Sequence, residues 1–283
     1  MALARLPEAG ETVTNGTLLV NYGGKGANQA VAARRLGAEV RLIGCVGDDA
    51  SGREVRAALA AEGVGTAGLT TSAAAATGTA LIVVDGEGRN QIAVAPGANR
   101  ALTVEHVRGR AEDFAWAEIV VASCEVPLHT VRCALEIARG RGMPTILNPA
   151  PVPEEGLQFL ELVDYLTPNE GEAARLSGVT GHEAAAAALR AGGARSVLVT
   201  LGERGVLICG DGPPRHVPAF RVAAVDTTAA GDGFNGALAV ALSEGRALLA
   251  AVRFAAAAAA VACTRRGAQA SLPTRDEVVR LGG

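Results

Sequence analysis

Apolar positions along this chain come in short blocks that switch between two periods. Val40 to Val46, Ile119 to Ala122, Thr145 to Leu147, Tyr165 to Leu166 and Ser196 to Thr200 are compact apolar runs that read as buried strands. Segments of helical spacing fall among them: Ala30 to Leu36, Ser51 to Glu62, Leu128 to Arg139 and Phe234 to Leu242. A strand, a loop and a helix in repetition predict β-α units. The fold class is therefore α/β, with a mainly parallel sheet covered by helices on both faces in a three-layer, Rossmann-like arrangement. Ligands of such sheets sit at the carboxyl ends of the strands.

Two departures from the repetition matter. Thr79 to Asp85, Gly86-Glu87-Gly88 and Asn90 to Val94 read as a hairpin with polar faces, and Thr12 to Tyr22 reads as extended chain. No helix separates these pieces, so they should form a small antiparallel sheet from residues 11–23 and 78–96, within one domain spanning 1–283. Pattern alone also allows a decorated edge of the main sheet. Later, Ser196 to Thr200 runs through Leu201-Gly202-Glu203-Arg204-Gly205 into a second strand, Val206 to Cys209. Phe220 to Val225 also looks like a strand.

Composition narrows the class. Hydrophobic residues make up 49% but aromatics only 3%, so Ala, Val and Leu must build the core. A net charge of −3 argues against nucleic acid or an anionic membrane as partner. Cys45, Cys124, Cys133, Cys209 and Cys263 are scattered and form no C-x-x-C pair, which suits buried thiols in a reducing cytosol. His106, His129, His182 and His216 are equally dispersed, and no zinc site follows from their spacing. Met1 to Leu6 lacks the apolar core of an export signal, and runs such as Ala255 to Cys263 are far short of a membrane span. The expected location is the cytoplasm.

The candidate chemistry lies in Asp226-Thr227-Thr228-Ala229-Ala230-Gly231-Asp232-Gly233-Phe234. Small residues leave the backbone of Ala229, Ala230, Gly231 and Asp232 bare where a helix starts. The free amides and the positive end of the helix dipole make a cradle for an anion. A carboxylate there would repel a bound phosphate, but it suits a base that takes a proton from a hydroxyl attacking that phosphate. The plain alternative is a first-turn charge. A second glycine-rich segment, Asn21-Tyr22-Gly23-Gly24-Lys25-Gly26-Ala27-Asn28-Gln29, also precedes a helix. Gly23 and Gly24 permit close approach of backbone to ligand, while Lys25 and Asn28 supply donors for sugar hydroxyls. Neither segment is a Walker loop. Gly63-Val64-Gly65-Thr66-Ala67-Gly68 has dinucleotide-fingerprint spacing but follows a helix, so it is no such fingerprint.

The two glycine segments together, in this order, resemble the ribokinase-like (PfkB) family of carbohydrate kinases over essentially the whole chain. Pro96-Gly97-Ala98-Asn99, Asn148-Pro149-Ala150-Pro151 and Arg265-Arg266-Gly267-Ala268-Gln269 bring the resemblance closest to its ribose-phosphorylating members. The resemblance implies transfer of phosphate from ATP to O5 of D-ribose, with Asp232 as base and Ala229, Ala230 and Gly231 as the anion hole. It implies sugar contacts from Gly23, Gly24, Lys25, Asn28, Glu125 and Asp232. Without it, Glu125 is a solvated loop charge. It places ATP against Asn169, Thr200, Leu201, Gly202, Glu203, Arg204, Gly205, Gly231 and Asp232, and magnesium near Glu172 through water. On residues alone, Asn169 and Glu172 equally suit a helix cap with its box glutamate. A potassium site is implied at Asp226, Thr228, Ala262, Arg265, Gly267 and Ser271, and a homodimer through the small sheet acting as a lid. Ala256 stands where the family often has His or Asn near the adenine. Other sugars such as deoxyribose, a nucleoside, or a sugar-binding homologue without turnover are the alternatives. Family members also open with a strand and a sugar-gripping Asp ahead of a run like Pro7-Glu8-Ala9-Gly10-Glu11-Thr12. Here that run begins almost at Met1, so these 283 residues are expected to lack both, with poor stability and weak turnover.

Overall fold

The structure is a computed structural model that describes residues 1, 3–8, 10–86 and 90–282. Glu87 and Gly88 of the expected hairpin turn, and Ala9, lie outside the described residues. The first half of the chain forms α1 (Lys25–Arg35), β1 (Arg41–Gly47), α2 (Ala50–Ala61), β2 (Gly65–Ser72), β3 (Thr79–Val84), β4 (Asn90–Ala95), α3 (Val104–Arg108), α4 (Ala111–Trp116), β5 (Val120–Ser123) and α5 (Leu128–Gly140). The second half forms β6 (Thr145–Asn148), β7 (Tyr165–Leu166), α6 (Glu170–Ser177), α7 (His182–Ala191), β8 (Ser196–Thr200), β9 (Val206–Cys209) and β10 (Arg215–Val217). Three helices close the chain: α8 (Ala230–Ser243), α9 (Leu248–Ala262) and α10 (Arg275–Gly282).

A six-stranded sheet in the order β10-β9-β8-β7-β6-β5 is the middle layer. It is parallel from β5 to β8 and antiparallel at β8-β9 and β9-β10. The two-residue period of its strands sorts side chains to opposite faces. Ile146 and Leu198 meet Phe234, Leu238 and Ala255 from α8 and α9. Their neighbours Leu147, Val197 and Val199 meet Val131, Leu135 and Leu189 from α5 and α7. The α/β, three-layer reading therefore holds.

The parallel strands do not form one sheet. β1 and β2 pair only with each other, and among the described residues no ladder joins β1 to β5. Both nevertheless pack on α1, and Ile43, Cys45 and Val120 share one apolar cluster. β6 and β9 are buried at every position, whereas Leu42, Ile43, Val120, Val121 and Ala122 are only half-buried. Two further differences from the sequence pattern stand out. Gly65–Ser72 pairs parallel to β1 although its Gly and Thr content gives no apolar block. Phe220–Val225 forms no strand. It follows Pro218, and it leaves the sheet for the loop before α8, where the Val225 amide donates to the Cys263 carbonyl at 2.8 Å.

β3 and β4 form the separate antiparallel sheet, with Thr79 opposite Ala95 and Val84 opposite Asn90. The start of the chain lies along β3: the Met1 amino group donates to Ile82 O at 2.6 Å, and Leu3 N donates to Val84 O at 2.8 Å. Residues 11–23 carry a single bridge residue, Thr17, and no strand. Among the described residues no helix is long and apolar enough to cross a membrane.

Helices α1 and α8 approach unusually closely at Gly236. A Cβ there would lie 2.6 Å from Ala32 Cβ, 2.7 Å from Gln29 O and 2.9 Å from Ala33 N. Two of these atoms are backbone and cannot rotate away. Gly236→Ala should therefore destabilise by about 1–3 kcal/mol, the usual cost of overpacking. The roughly 1 kcal/mol that Ala gains over Gly inside a helix offsets part of this, leaving a net loss of up to about 2 kcal/mol. Gly140→Ala in α5, where a Cβ meets nothing within 4 Å, should be neutral or stabilising. Urea unfolding of both variants checks the pair, and a Gly236→Ala protein as stable as its parent would remove the constraint.

Candidate active site

The site gathers at the carboxyl ends of β5, β6, β7 and β8 and at the starts of α1 and α8. Ala229 caps α8 in a left-handed conformation, φ 61°, the one positive φ among the described non-glycine residues. Such a conformation costs of order 1 kcal/mol or more in a residue with a Cβ and tends to sit at functional turns. The Ala230 amide donates to Thr227 O at 3.2 Å, so it is not free as the sequence suggested. The first turn of a helix has no preceding carbonyls to bind, and the amides of Ala229, Gly231 and Asp232 are the bare donors.

Asp232 in that first turn is 7% exposed and held from α1 on both oxygens. Asn28 Nδ2 donates to Oδ2 at 2.8 Å, and Gln29 Nε2 donates to Oδ1 at 3.2 Å. Asn28 Oδ1 is buried and has no partner, an acceptor suited to a hydroxyl. Lys25, on the first turn of α1, is the only lysine among the 26 lysines and arginines of the chain. Its backbone amide donates to Glu125 Oε2 at 2.7 Å. Glu125 thus caps α1 from the loop after β5, at the helix end where a negative charge is favoured. Gly24 is the N-cap, with φ 91° and no capping side chain of its own.

Three polar side chains lock the floor. Asn148 Nδ2 donates to Thr167 O at 3.2 Å, the Thr167 hydroxyl donates to Asn235 Oδ1 at 2.7 Å, and Asn235 Nδ2 donates to Gly231 O at 2.8 Å. The cradle is thereby tied to the ends of β6 and β7. Two residues on, Asn169 and Glu172 form a reciprocal capping box, each 2.8 Å from the other's amide. The plain local device is therefore present, and it commits Glu172 Oε2. Asn169 bridges Thr200. The turn that follows closes with Leu201 N donating to Gly205 O at 2.8 Å. Gly205 has φ 97°, and a Cβ there would collide with the Val217 carbonyl. Arg204 reaches back to Glu170 Oε2 at 2.6 Å, tying the turn to the start of α6.

Of the residues carried over for a cation, Asp226, Thr228 and Gly267 meet, while the Ala262 carbonyl accepts the Arg265 amide at 3.3 Å. Asp226 Oδ1 accepts Thr228 N at 2.9 Å and Thr228 Oγ1 at 2.6 Å, and Oδ2 accepts Gly267 N at 3.0 Å. One carboxylate so joins the loop before α8 to the loop after α9. Arg265 points its guanidinium away, to Glu277 at 2.8 Å, and Ser271 is fully buried with its hydroxyl on Ala268 O at 2.9 Å. Gln29, Glu170 and Asn235 are the parts of this region to which the sequence pattern assigns no role.

Residues 1–275 match the pfkB family of carbohydrate kinases. The chain belongs to that family. It is 42% identical over 277 residues to a ribokinase of Haemophilus influenzae, covering 96% of this chain and 90% of the relative. Among solved structures, a ribokinase from Thermotoga maritima superposes with a TM-score of 0.90 at 38% identity, covering 99% of this chain and 94% of that one. An Arabidopsis thaliana ribokinase complexed with ribose and ATP superposes with a TM-score of 0.87 at 33% identity and the same coverage. Membership of a carbohydrate kinase family gives the buried carboxylate beside bare amides its chemical context.

Electrostatics at the site are set by burial. Desolvation pushes the Asp232 carboxyl above its ordinary range, with the Lys25 charge and the Asn28 and Gln29 donors opposing it. Burial also raises Glu125, against the Lys25 amide and charge, and Asp232 adds to the rise. Cys124 is pushed up to about 12 by burial, then by Glu172 and Glu155, so it is an inert thiol at neutral pH. Asp226 runs the other way. Burial alone would raise it, but hydrogen bonds from Thr228 and Gly267 and the Arg266 charge together hold it below the usual range.

The raised pKa of Asp232 makes a stability prediction. A carboxyl whose folded pKa exceeds its unfolded one stabilises the fold while protonated, and loses that contribution as pH rises through the folded value. Ionisation of the buried Asp232 is therefore destabilising. With Asn28 turning its amide so that its free Oδ1 accepts from the new side chain, Asp232→Asn should melt at or above the parent temperature near neutral pH, with the margin closing as pH falls toward the carboxylate range. Thermal melts across that range check it, and an Asn variant that is less stable at neutral pH would contradict the burial account.

Proposed function

We propose that this pfkB-family kinase transfers the γ-phosphoryl group of MgATP to O5 of D-ribose. The observation that carries the reading is a buried carboxylate, Asp232, fixed by two amides beside free helix-terminal N–H groups. A carboxylate so placed accepts the hydroxyl proton as the oxygen attacks phosphorus, and the Gly231 and Asp232 amides take up charge on the transferring group. ADP leaves as the bond to its β-phosphate breaks. Lys25, Asn28, Glu125 and the backbone of Gly23 and Gly24 hold the sugar in line, and the unpartnered Asn28 Oδ1 supplies an acceptor for one of its hydroxyls. Asn169 and the turn from Thr200 through Leu201, Gly202, Glu203 and Arg204 to Gly205 receive the nucleotide.

Glu172, with Oε2 committed to the Asn169 amide and Oε1 free, would hold through water a magnesium ion brought by the phosphates, which would supply neutralising charge to the triphosphate. For potassium, Asp226 has three of its roughly four lone-pair positions filled, which leaves room for one cation contact beside carbonyls of the two loops it joins. The lid of β3 and β4 closes over the sugar and excludes water. Its exposed apolar residues Leu81 and Val94, with Leu18, Leu19 and Val20, suit a second copy of the lid in a homodimer. We assign the enzyme to the cytoplasm, where ATP is at hand.

Turnover over a panel of ribose, deoxyribose, other pentoses and nucleosides separates ribose from its rivals, because a lost hydroxyl leaves buried partners unpaired. No turnover with any of them would favour a sugar-binding protein. Asp232→Asn should lower kcat by about 10²–10⁴-fold while nucleotide affinity stays near the parent's. Residual activity above about a tenth of the parent's is inconsistent with the size of base catalysis and would remove Asp232 from the role. Replacing sodium by potassium at constant ionic strength should raise the rate. Equal rates in the two salts would remove the cation from the reading.

A further inference from the structure

Gln29 is 4% exposed and sits in the second turn of α1. Its carbonyl is one of the atoms pressed against Gly236 of α8, and its amide nitrogen is 3.2 Å from Asp232 Oδ1, a turn earlier on the same helix. Backbone and side chain of one residue therefore touch α8 at two successive turns. With Asn28 on Oδ2, each carboxylate oxygen has one donor and keeps one lone pair for the reaction. We propose that Gln29 is a positioning residue for phosphoryl transfer: with Asn28 it holds the Asp232 carboxylate in a single orientation, so that a free lone pair meets the acceptor hydroxyl.

A carboxylate gripped on one oxygen only can rotate about its Cβ–Cγ bond, a soft torsion. Grip on both oxygens removes that freedom. Glutamine suits the task because it is neutral and its nitrogen carries two hydrogens, one for Asp232 and one for a neighbour. A glutamate of the same length would put a second carboxylate against the first and force the pair to share a proton. The charged groups facing Asp232 are Lys25 on α1 and Glu125 after β5. Burial opposes the ionised base, and Lys25 and then the Asn28 and Gln29 donors favour it, so loss of the Gln29 donor moves Asp232 toward the neutral form.

The inference rests on Asp232 as the base, and the test keeps the two apart. Gln29→Met keeps length and apolar bulk but removes the donor. Its kcat should fall about tenfold or more with KM for ATP within about twofold, a split expected when an interaction acts on the chemical step and not on ground-state binding. The acid limb of the kcat/KM profile should move to higher pH. Gln29→Glu should move it further in the same direction, and it serves equally if the Met variant fails to fold. In an Asp232→Asn background, Gln29→Met should cost nothing more, because its route to the reaction is gone. An unmoved acid limb in both single variants overturns the proposal, and so does an undiminished loss in the Asn background. Should Asp232→Asn itself stay active, the base assignment fails and Gln29 falls with it. A dead Asp232→Asn beside an unaffected Gln29→Met sinks Gln29 alone.

Discussion

The close contact of α1 with α8 at Gly236 is the constraint on which the site depends. These helices lie far apart in the chain, and their backbones meet because no side chain stands between them. That approach puts Lys25, Asn28 and Gln29 within reach of Asp232. A methyl group of extra separation would lengthen two hydrogen bonds to a buried carboxylate, and unmade bonds to a buried charge are more costly than bonds to a neutral group. Small residues along α1 and α9 serve the same end. Ala30, Ala32 and Ala33 on one side and the alanines of α9 on another let three helices crowd the sheet, which explains a core so poor in aromatics.

Burial then divides the acids of the site into two kinds. Asp232 and Glu125 have few donors for their depth and are pushed toward the neutral form. Asp226 has three donors and is held toward the ionised form, which suits a strut between two loops. The difference follows from backbone. A loop carboxylate can draw amides from its own turn, as Asp226 does with Thr228. A residue inside the first helical turn has its own amides directed away and relies on another helix.

What is legible in the sequence is what is local. The cradle before α8 and the glycine segment before α1 each announce themselves by small residues ahead of a helix, and the capping box of Asn169 and Glu172 is written in four consecutive residues. The apolar blocks of β6, β8 and β9 are equally plain. Contacts made at long range are not. Glu125 reads as a loop charge until the fold sets it on the Lys25 amide, and Gln29 reads as one more helix residue. Gly65–Ser72 lacks an apolar block because it is covered by α2 and β1 through small side chains. Phe220–Val225 misleads in the opposite sense, since apolar extended chain needs a ladder partner to become a strand and the sheet has ended.

The break between β1 and β5 bears on how the molecule moves. A hydrogen-bonded sheet opens as one cooperative body, whereas side-chain packing alone lets parts open separately. β1, β2 and α2 are joined to one another by their own ladder, and among the described residues they reach the rest through no ladder, only through packing on α1 and around Cys45 and side-chain ties such as Arg35–Glu62, Arg41–Asp113 and His106–Gly68 O. A unit with its own ladder and none to the main sheet is expected to open as a foldon of its own. Its amides should exchange with solvent at a lower free energy than those of β6 and β8. When it opens, α1 loses one wall of its bed, and with it the firmness of the helix that grips Asp232. Local unfolding at one end of the molecule is thereby coupled to the precision of the base at the other.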